Sequence, residues 1–192
     1  VLIDISDSDL ASHAQLGGDD IYFTNSSDAQ LSHEIELYNA GTGHLVAWVK
    51  VPSLSSSVDT VLYMYYGNAA AANQESPSGV WDTNFMMVQH LSEASGTHYD
   101  STANGNNGTP NGVTQGTAGK IDSADSFDGT NDYVTIPDSN TVAGFSQGFT
   151  ASFVVKMNSV SVRQTFLNKW NAADGARSWY IEFDSSQTNK LT

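Results

Sequence analysis

Glu34 and Glu36 are the first residues in this chain whose type and spacing could do chemistry. On a strand, residues two apart share a face, so both carboxylates point the same way. Paired acids cleave glycosidic bonds when they flank a cleft at a defined separation. Here Ile35 and Leu37 intervene and no third acid follows at 38, so the expectation is a solvated strand face. His33-Glu34 opens an H-E-x-x-H pattern, but Leu37 holds the second histidine's place and the stretch reads as strand, which defeats the zinc-protease geometry. His33 is expected at the surface or an edge. Gly144-Phe-Ser-Gln-Gly148 fits G-x-S-x-G. A nucleophile elbow needs a strand before it and a helix after it. Here a polar loop precedes and a β-branched, aromatic stretch follows, so a loop is expected. Gly116-Thr-Ala-Gly-Lys120 lacks the Gly and the Ser/Thr of a phosphate loop.

Oxygen-rich loops offer a different chemistry. Asp100, Thr102, Asn104 and Gly105 begin like an EF-hand loop, but Asn111 stands where the bidentate Glu belongs. A looser calcium site drawn from Asp100, Asn104, Asp128, Asn131 and Asp132 is the metal expectation, with turn stabilisation by side-chain bonding as its rival. Trp48, Trp81, Trp170 and Trp179, with eight Tyr, could stack on sugar rings, although most should be core. Trp170, with Asp174 in the loop that follows, is the expected ligand-binding pair. Asn25 and Asn107 begin N-glycosylation sequons. No catalytic set emerges.

These residues need strands to hold them. Val1 to Ile5 reads as a strand, and Ser6 to Leu16 as a short helix capped by Ser6 or Asp7 with Leu10 and Ala14 inward. Ile21 to Phe23, His33 to Tyr38, Leu45 to Val51 and Thr60 to Tyr66 alternate as strands, with Asn39 to Gly43 a hairpin connection. Residues 71–79 read as a linker between a module over 1–70 and a second over 80–192. In the second, Phe85 to Leu91, Gly148 to Met157, Gln164 to Trp170 and Ser178 to Phe183 are expected strands. Asp128 to Asp132 is expected to be a tight turn between two more, since Asp, Asn and Gly tolerate left-handed backbone.

Composition narrows the class. The chain has 192 residues, 39% hydrophobic and 15% charged, with 21 acids against 7 bases and no cysteine. A net charge of −14 argues against nucleic acid, whose phosphates need clustered Lys and Arg. Disulfides and thiolate metal sites are excluded. No apolar run approaches the roughly 18 residues of a membrane span. Since the chain opens mid-pattern without Met, Val1 is expected not to be the gene's first residue.

The run Phe127-Asp-Gly-Thr-Asn-Asp-Tyr-Val134, after Asp100-Ser-Thr-Ala-Asn-Gly-Asn-Asn-Gly-Thr109 and before Phe149-Thr-Ala-Ser-Phe-Val-Val-Lys156, resembles the LamG-like, concanavalin A-like jelly-roll family over about 81–192. Val154 stands where that family often shows Trp. Gly18-Asp-Asp-Ile-Tyr-Phe-Thr24, His33-Glu-Ile-Glu36, Ala47-Trp-Val-Lys-Val-Pro52 and Tyr63-Met-Tyr-Tyr-Gly-Asn68 resemble a family of unassigned function found ahead of LamG-like modules in bacterial and archaeal surface proteins. The resemblance implies an all-β chain of two β-sandwich modules in tandem, the second a jelly roll truncated at its C-terminus, and calcium as an option. The function it implies is a non-catalytic, extracellular carbohydrate-binding or adhesion module, with a glycan or another surface protein as partner. The alternatives are a structural subunit of an extracellular fibre or surface layer, self-associating through β-edges, and a polysaccharide hydrolase.

Overall fold

The computed structural model describes residues 1–142, 148–171, 176–186 and 190–191, with backbone alone for 170–171, 176–178 and 190–191. Its contacts divide into two units, Val1–Ser139 and Asn140–Thr192. Among the described residues the chain is mostly β, in five small sheets, with two short helices. No helix among them is long and apolar enough to cross a membrane.

The first unit begins β1 (Leu2–Ser6), α1 (Ser8–His13), β2 (Tyr22–Asn25), β3 (Gln30–Leu31), β4 (His33–Asn39), β5 (His44–Val49), β6 (Leu62–Tyr65) and α2 (Pro77–Val80). Two antiparallel sheets result, in the orders β1-β5-β4 and β3-β2-β6. Alternation sends Phe23 and Leu31 of one sheet and Leu45, Ala47 and Val49 of the other into a common core, closed by Ile21 and by Leu10 of α1. The expected short helix forms with Asp7 as its cap, but spans Ser8–His13 and stops short of Leu16. Asp7 caps it by accepting the Asp9 N–H at 2.8 Å, and Leu10 is fully buried. The 39–43 turn is held by the Asn39 carboxamide, which accepts from the Gly41 and Thr42 N–H groups.

Buried Asp20 ties the edges of this core together. One carboxylate oxygen accepts the Gln15 N–H at 2.8 Å, and the other accepts the Gly67 and Asn68 N–H groups at 2.7 and 2.9 Å. Asp20→Ala would strand three backbone donors, each deprived of a charged acceptor. The expected loss is about 2–3 kcal/mol, read from the urea midpoint at unchanged slope. A loss below about 0.5 kcal/mol would mean that water replaces the carboxylate.

Residues 71–79 run along these sheets. Gln74 N–H donates to the Asp19 carbonyl and Ser76 N–H to the His33 carbonyl, while Glu75 accepts the Ile35 N–H at 2.7 Å.

Beyond them lie β7 (Thr109–Asn111), β8 (Thr114–Ala118), β9 (Ser123–Ser126) and β10 (Tyr133–Thr135). The turn chemistry at 128–132 is as expected: Asp128 accepts the Thr130 N–H and Asp132 accepts the Asp128 N–H. The strands it joins do not pair with each other, because β9 joins β8 and β10 joins β7. Nor is Phe85 to Leu91 a strand. Asn104 and Asn106 donate side-chain N–H to the Phe85 and Met86 carbonyls, and Asp100 accepts the Val88 N–H. Loop side chains thus satisfy backbone groups that a ladder would otherwise satisfy.

The second unit carries β11 (Gln164–Asn171), β12 (Ala176–Asp184) and β13 (Lys190–Leu191) in one antiparallel sheet. Both later strands expected here are present. Described residues 148–158 form no strand, although Phe153 meets Phe166 with ring centres 5.5 Å apart and Phe149 meets Trp179 at 4.9 Å.

Candidate functional site

The outer face of the β3-β2-β6 sheet is an aromatic and amide surface. Register places Tyr22 opposite Tyr65, Thr24 opposite both Gln30 and Tyr63, and sends the intervening Phe23, Leu31 and Met64 to the core side. The rings of Tyr22 and Tyr65 stack at 5.0 Å with 12° between their planes. Tyr65 is 39% exposed and Tyr63 47%. A cleft of about 530 Å³ lies here, lined by Tyr22, Thr24, Asp28, Gln30, Tyr65 and Gln74.

Local chemistry places each wall. The Asn25 carboxamide accepts the Ser27 and Ala29 N–H groups, and the Asp28 N–H returns to the Asn25 carbonyl. The turn puts Asp28 at φ +59°, a left-handed setting that Asp tolerates better than most residues. Asp28 accepts the Tyr65 O–H at 3.2 Å. Gln74 is fixed by its N–H on Asp19 and by its side-chain donor on the Ala72 carbonyl. Thr24 forms the floor. It is 3% exposed, and its hydroxyl stands beside the Tyr65 phenol.

Glu34 and Glu36 do not form the expected solvated face. Glu34 is 7% exposed, and a bulge between Ile35 and Leu37 resets the alternation at Glu36. His90 lies between them, Nε2 3.2 Å from Glu34 and Nδ1 3.3 Å from Glu36. Trp81 Nε1–H donates to Glu34 at 3.0 Å, Trp48 Nε1–H to Glu36 at 2.6 Å, and the Ser101 hydroxyl to Glu34. Burial alone would lower the His90 pKa, but the contacts to the two carboxylates outweigh it and raise it to about 9. Burial raises both glutamates, yet their hydrogen bonds, those from His90 first, hold them below the ordinary carboxylate value. All four carboxylate oxygens are engaged, and neither Glu34 nor Glu36 lines the cleft, so the cluster reads as an internal brace. His33 is buried as well, edge-on to Phe23, which corrects the expected surface position.

A second bridge repeats the pattern. Fully buried His98 has Nδ1 2.8 Å from Glu93 and Nε2 2.8 Å from Asp125. Burial raises the Asp125 carboxyl above its usual value against the pull of His98.

The residues expected to hold calcium stand in two loops. Asp100 accepts four hydrogen bonds, from the Val88, Thr102 and Asn106 N–H groups and the Thr102 hydroxyl, and Asn104 serves Phe85 and Met86. Asp128, Asn131 and Asp132 belong to the 128–132 turn, where Asp128 also accepts the Asn131 N–H. No group of three His, Cys, Asp or Glu side chains suited to a metal occurs among the described residues. The expected ligand pair lies outside the described residues, at Asp174 and at the side chain of Trp170, and so does most of Gly144 to Gly148.

Residues 17–109, just under half of the chain, match the model of a domain of unknown function (DUF2341), consistent with the resemblance of the first half to a family of unassigned function. That span contains every residue of the tyrosine cleft and of the Glu34–His90–Glu36 brace. No LamG-like or concanavalin A-like model matches. No curated protein and no solved structure matches the chain.

Proposed function

We propose that this chain is a non-catalytic carbohydrate-binding or adhesion module of an extracellular or cell-surface protein, and that it holds glycan on the outer face of the β3-β2-β6 sheet. The observation that supports it is the stacked, near-parallel Tyr22 and Tyr65 pair beside Thr24, Asp28, Gln30 and Gln74. A sugar ring presents an apolar C–H face, which an aromatic ring covers well, and a rim of hydroxyls, which amide and carboxylate groups bond. Tyr rings are rigid, so little entropy is lost on binding. In the same reading the chain is two β-sandwich modules in tandem, with residues 80–192 a LamG-like jelly roll. Calcium would draw on the 128–132 turn, where Asp128 is exposed, rather than on Asp100, whose oxygens are engaged.

A glycan array at millimolar calcium, with and without chelator, tests the proposal, and Tyr65→Ala locates the site. Losing one stacking ring should weaken binding about tenfold, from roughly 1.4 kcal/mol of lost contact. Unchanged affinity in Tyr65→Ala would move the site elsewhere, and an array blank in both conditions would sink the proposal. A second reading, a fibre or surface-layer subunit joined by β-edges, draws support from edge strand β6, flanked by exposed Val61 and bearing exposed Tyr63 and Tyr65. Light scattering after size-exclusion decides it: a strict monomer at high concentration counts against edge pairing.

A further inference from the structure

Resting on the reading that the tyrosine cleft binds glycan, we infer that it takes uncharged sugars and turns away carboxylated ones such as uronates and sialates. The cleft offers hydrogen bonds without a cation. Its walls are two phenols, a threonine hydroxyl, two carboxamides and the Asp28 carboxylate. Asp28 only accepts hydrogen bonds, so it suits hydroxyl donors and repels a second carboxylate. Gln74 has one of its two N–H donors on the Ala72 carbonyl, which leaves the other N–H and the oxygen to meet a hydroxyl group. The Thr24 hydroxyl and the Gln30 amide complete a set that complements hydroxyl groups.

Recognition of a carboxylate usually rests on a guanidinium or ammonium fork. Residues 1–139 hold 18 acids against two lysines, Lys50 and Lys120, and the protonated His90, none of which lines the cleft. The cleft therefore sits in a field that disfavours anionic polymers before contact, and salt should screen that field. Exclusion thus has a short-range part carried by Asp28 and a long-range part carried by the whole unit.

The experiment is calorimetric titration of the full chain with cellohexaose, mannohexaose and laminarihexaose, each beside its C6-oxidised uronate counterpart, at 25 and 500 mM NaCl. The neutral member of at least one pair should bind, its oxidised partner at least tenfold more weakly at low salt, with the gap narrowing at high salt. Asp28→Asn should narrow the gap further at both salt concentrations while leaving the melting temperature close to that of the parent, because Asn also tolerates positive φ. Oxidised sugars that bind as tightly as neutral ones, or alone, would overturn the inference and leave the glycan reading standing. A gap unchanged in Asp28→Asn would overturn the assignment to Asp28. No binding by any of the six sugars would remove the glycan reading and this inference with it.

Discussion

Replacing His90 with Ala is expected to cost about 4 kcal/mol of stability near pH 6, and to abolish the alkaline decline expected of the parent protein. Removing one partner of a buried ion pair typically costs about 3–5 kcal/mol, because the other charge stays buried without compensation. Here two carboxylates would be left, one of them 7% exposed. The pH profile separates this loss from mere loss of packing. His90 titrates near 9 in the folded protein against 6.5 when free. Its contribution is therefore complete below pH 6.5 and is lost as pH rises through about 9, a decline of up to about 3 kcal/mol. Glu34 and Glu36 are depressed below 4.5, so their contribution is complete above that value and is lost as pH falls through their folded values. The parent brace should be strongest between about pH 4.5 and 6.5. Urea unfolding followed by tryptophan fluorescence across pH 4–10 measures this, since Trp48 and Trp81 touch the cluster. An alkaline decline of the same depth in the Ala variant would show that other groups cause it. Adding Glu34→Gln and Glu36→Gln to His90→Ala should recover part of the loss, because neutral amides need no counter-charge.

The brace also marks where sequence reasoning reaches its limit. The β4–β5 hairpin is legible because alternation and the Asn39 to Gly43 turn agree. The α1 cap is legible from Asp7 and Leu10. The setting of Glu34 and Glu36 is not. Alternation correctly opposes them to part of the core pattern, but says nothing of what covers that opposite face. The cover comes from Trp81, His90 and Ser101, from 47 to 67 residues beyond Glu34, on segments with no period to read. The tyrosine cleft is half legible. Tyr22, Tyr63 and Tyr65 alternate with core residues, so their outward direction can be read from the strands that carry them. The register that stacks Tyr22 on Tyr65, and the turn that brings Asp28 beside them, arise only on folding. The Phe85 to Leu91 stretch misleads for a related reason. Its residues have strand propensity, yet Asp100, Asn104 and Asn106 take its backbone partners, an override that propensity does not encode.

Two glycine substitutions that look alike on a backbone map should differ by several kcal/mol. Gly43 and Gly129 both occupy left-handed backbone, at φ +66° and +77°. For each, Ala introduces a left-handed penalty of about 1–2 kcal/mol. Around Gly129 a new Cβ meets nothing within 4 Å, so that penalty is the whole expected effect of Gly129→Ala. At Gly43 the same Cβ would lie 1.8 Å from the Asp7 carbonyl oxygen and 3.0 Å from the Ala11 nitrogen. Neither is the movable end of a side chain. Asp7 is the cap of α1, its N–H donates to the Gly43 carbonyl at 3.1 Å, and its own carbonyl accepts the Ala11 N–H. Relief of the clash must separate the hairpin turn from the start of the helix. That movement breaks the Asp7–Gly43 bond and strains the packing of Leu10, whose carbonyl accepts the Tyr38 hydroxyl. Clash, lost bond and disturbed core together should bring Gly43→Ala to about 4 kcal/mol or to failure to fold at 37 °C. Thermal unfolding of both variants by circular dichroism tests the contrast. Equal melting temperatures would mean that hairpin and helix are not in contact at Gly43, and that the cap stands free of the turn.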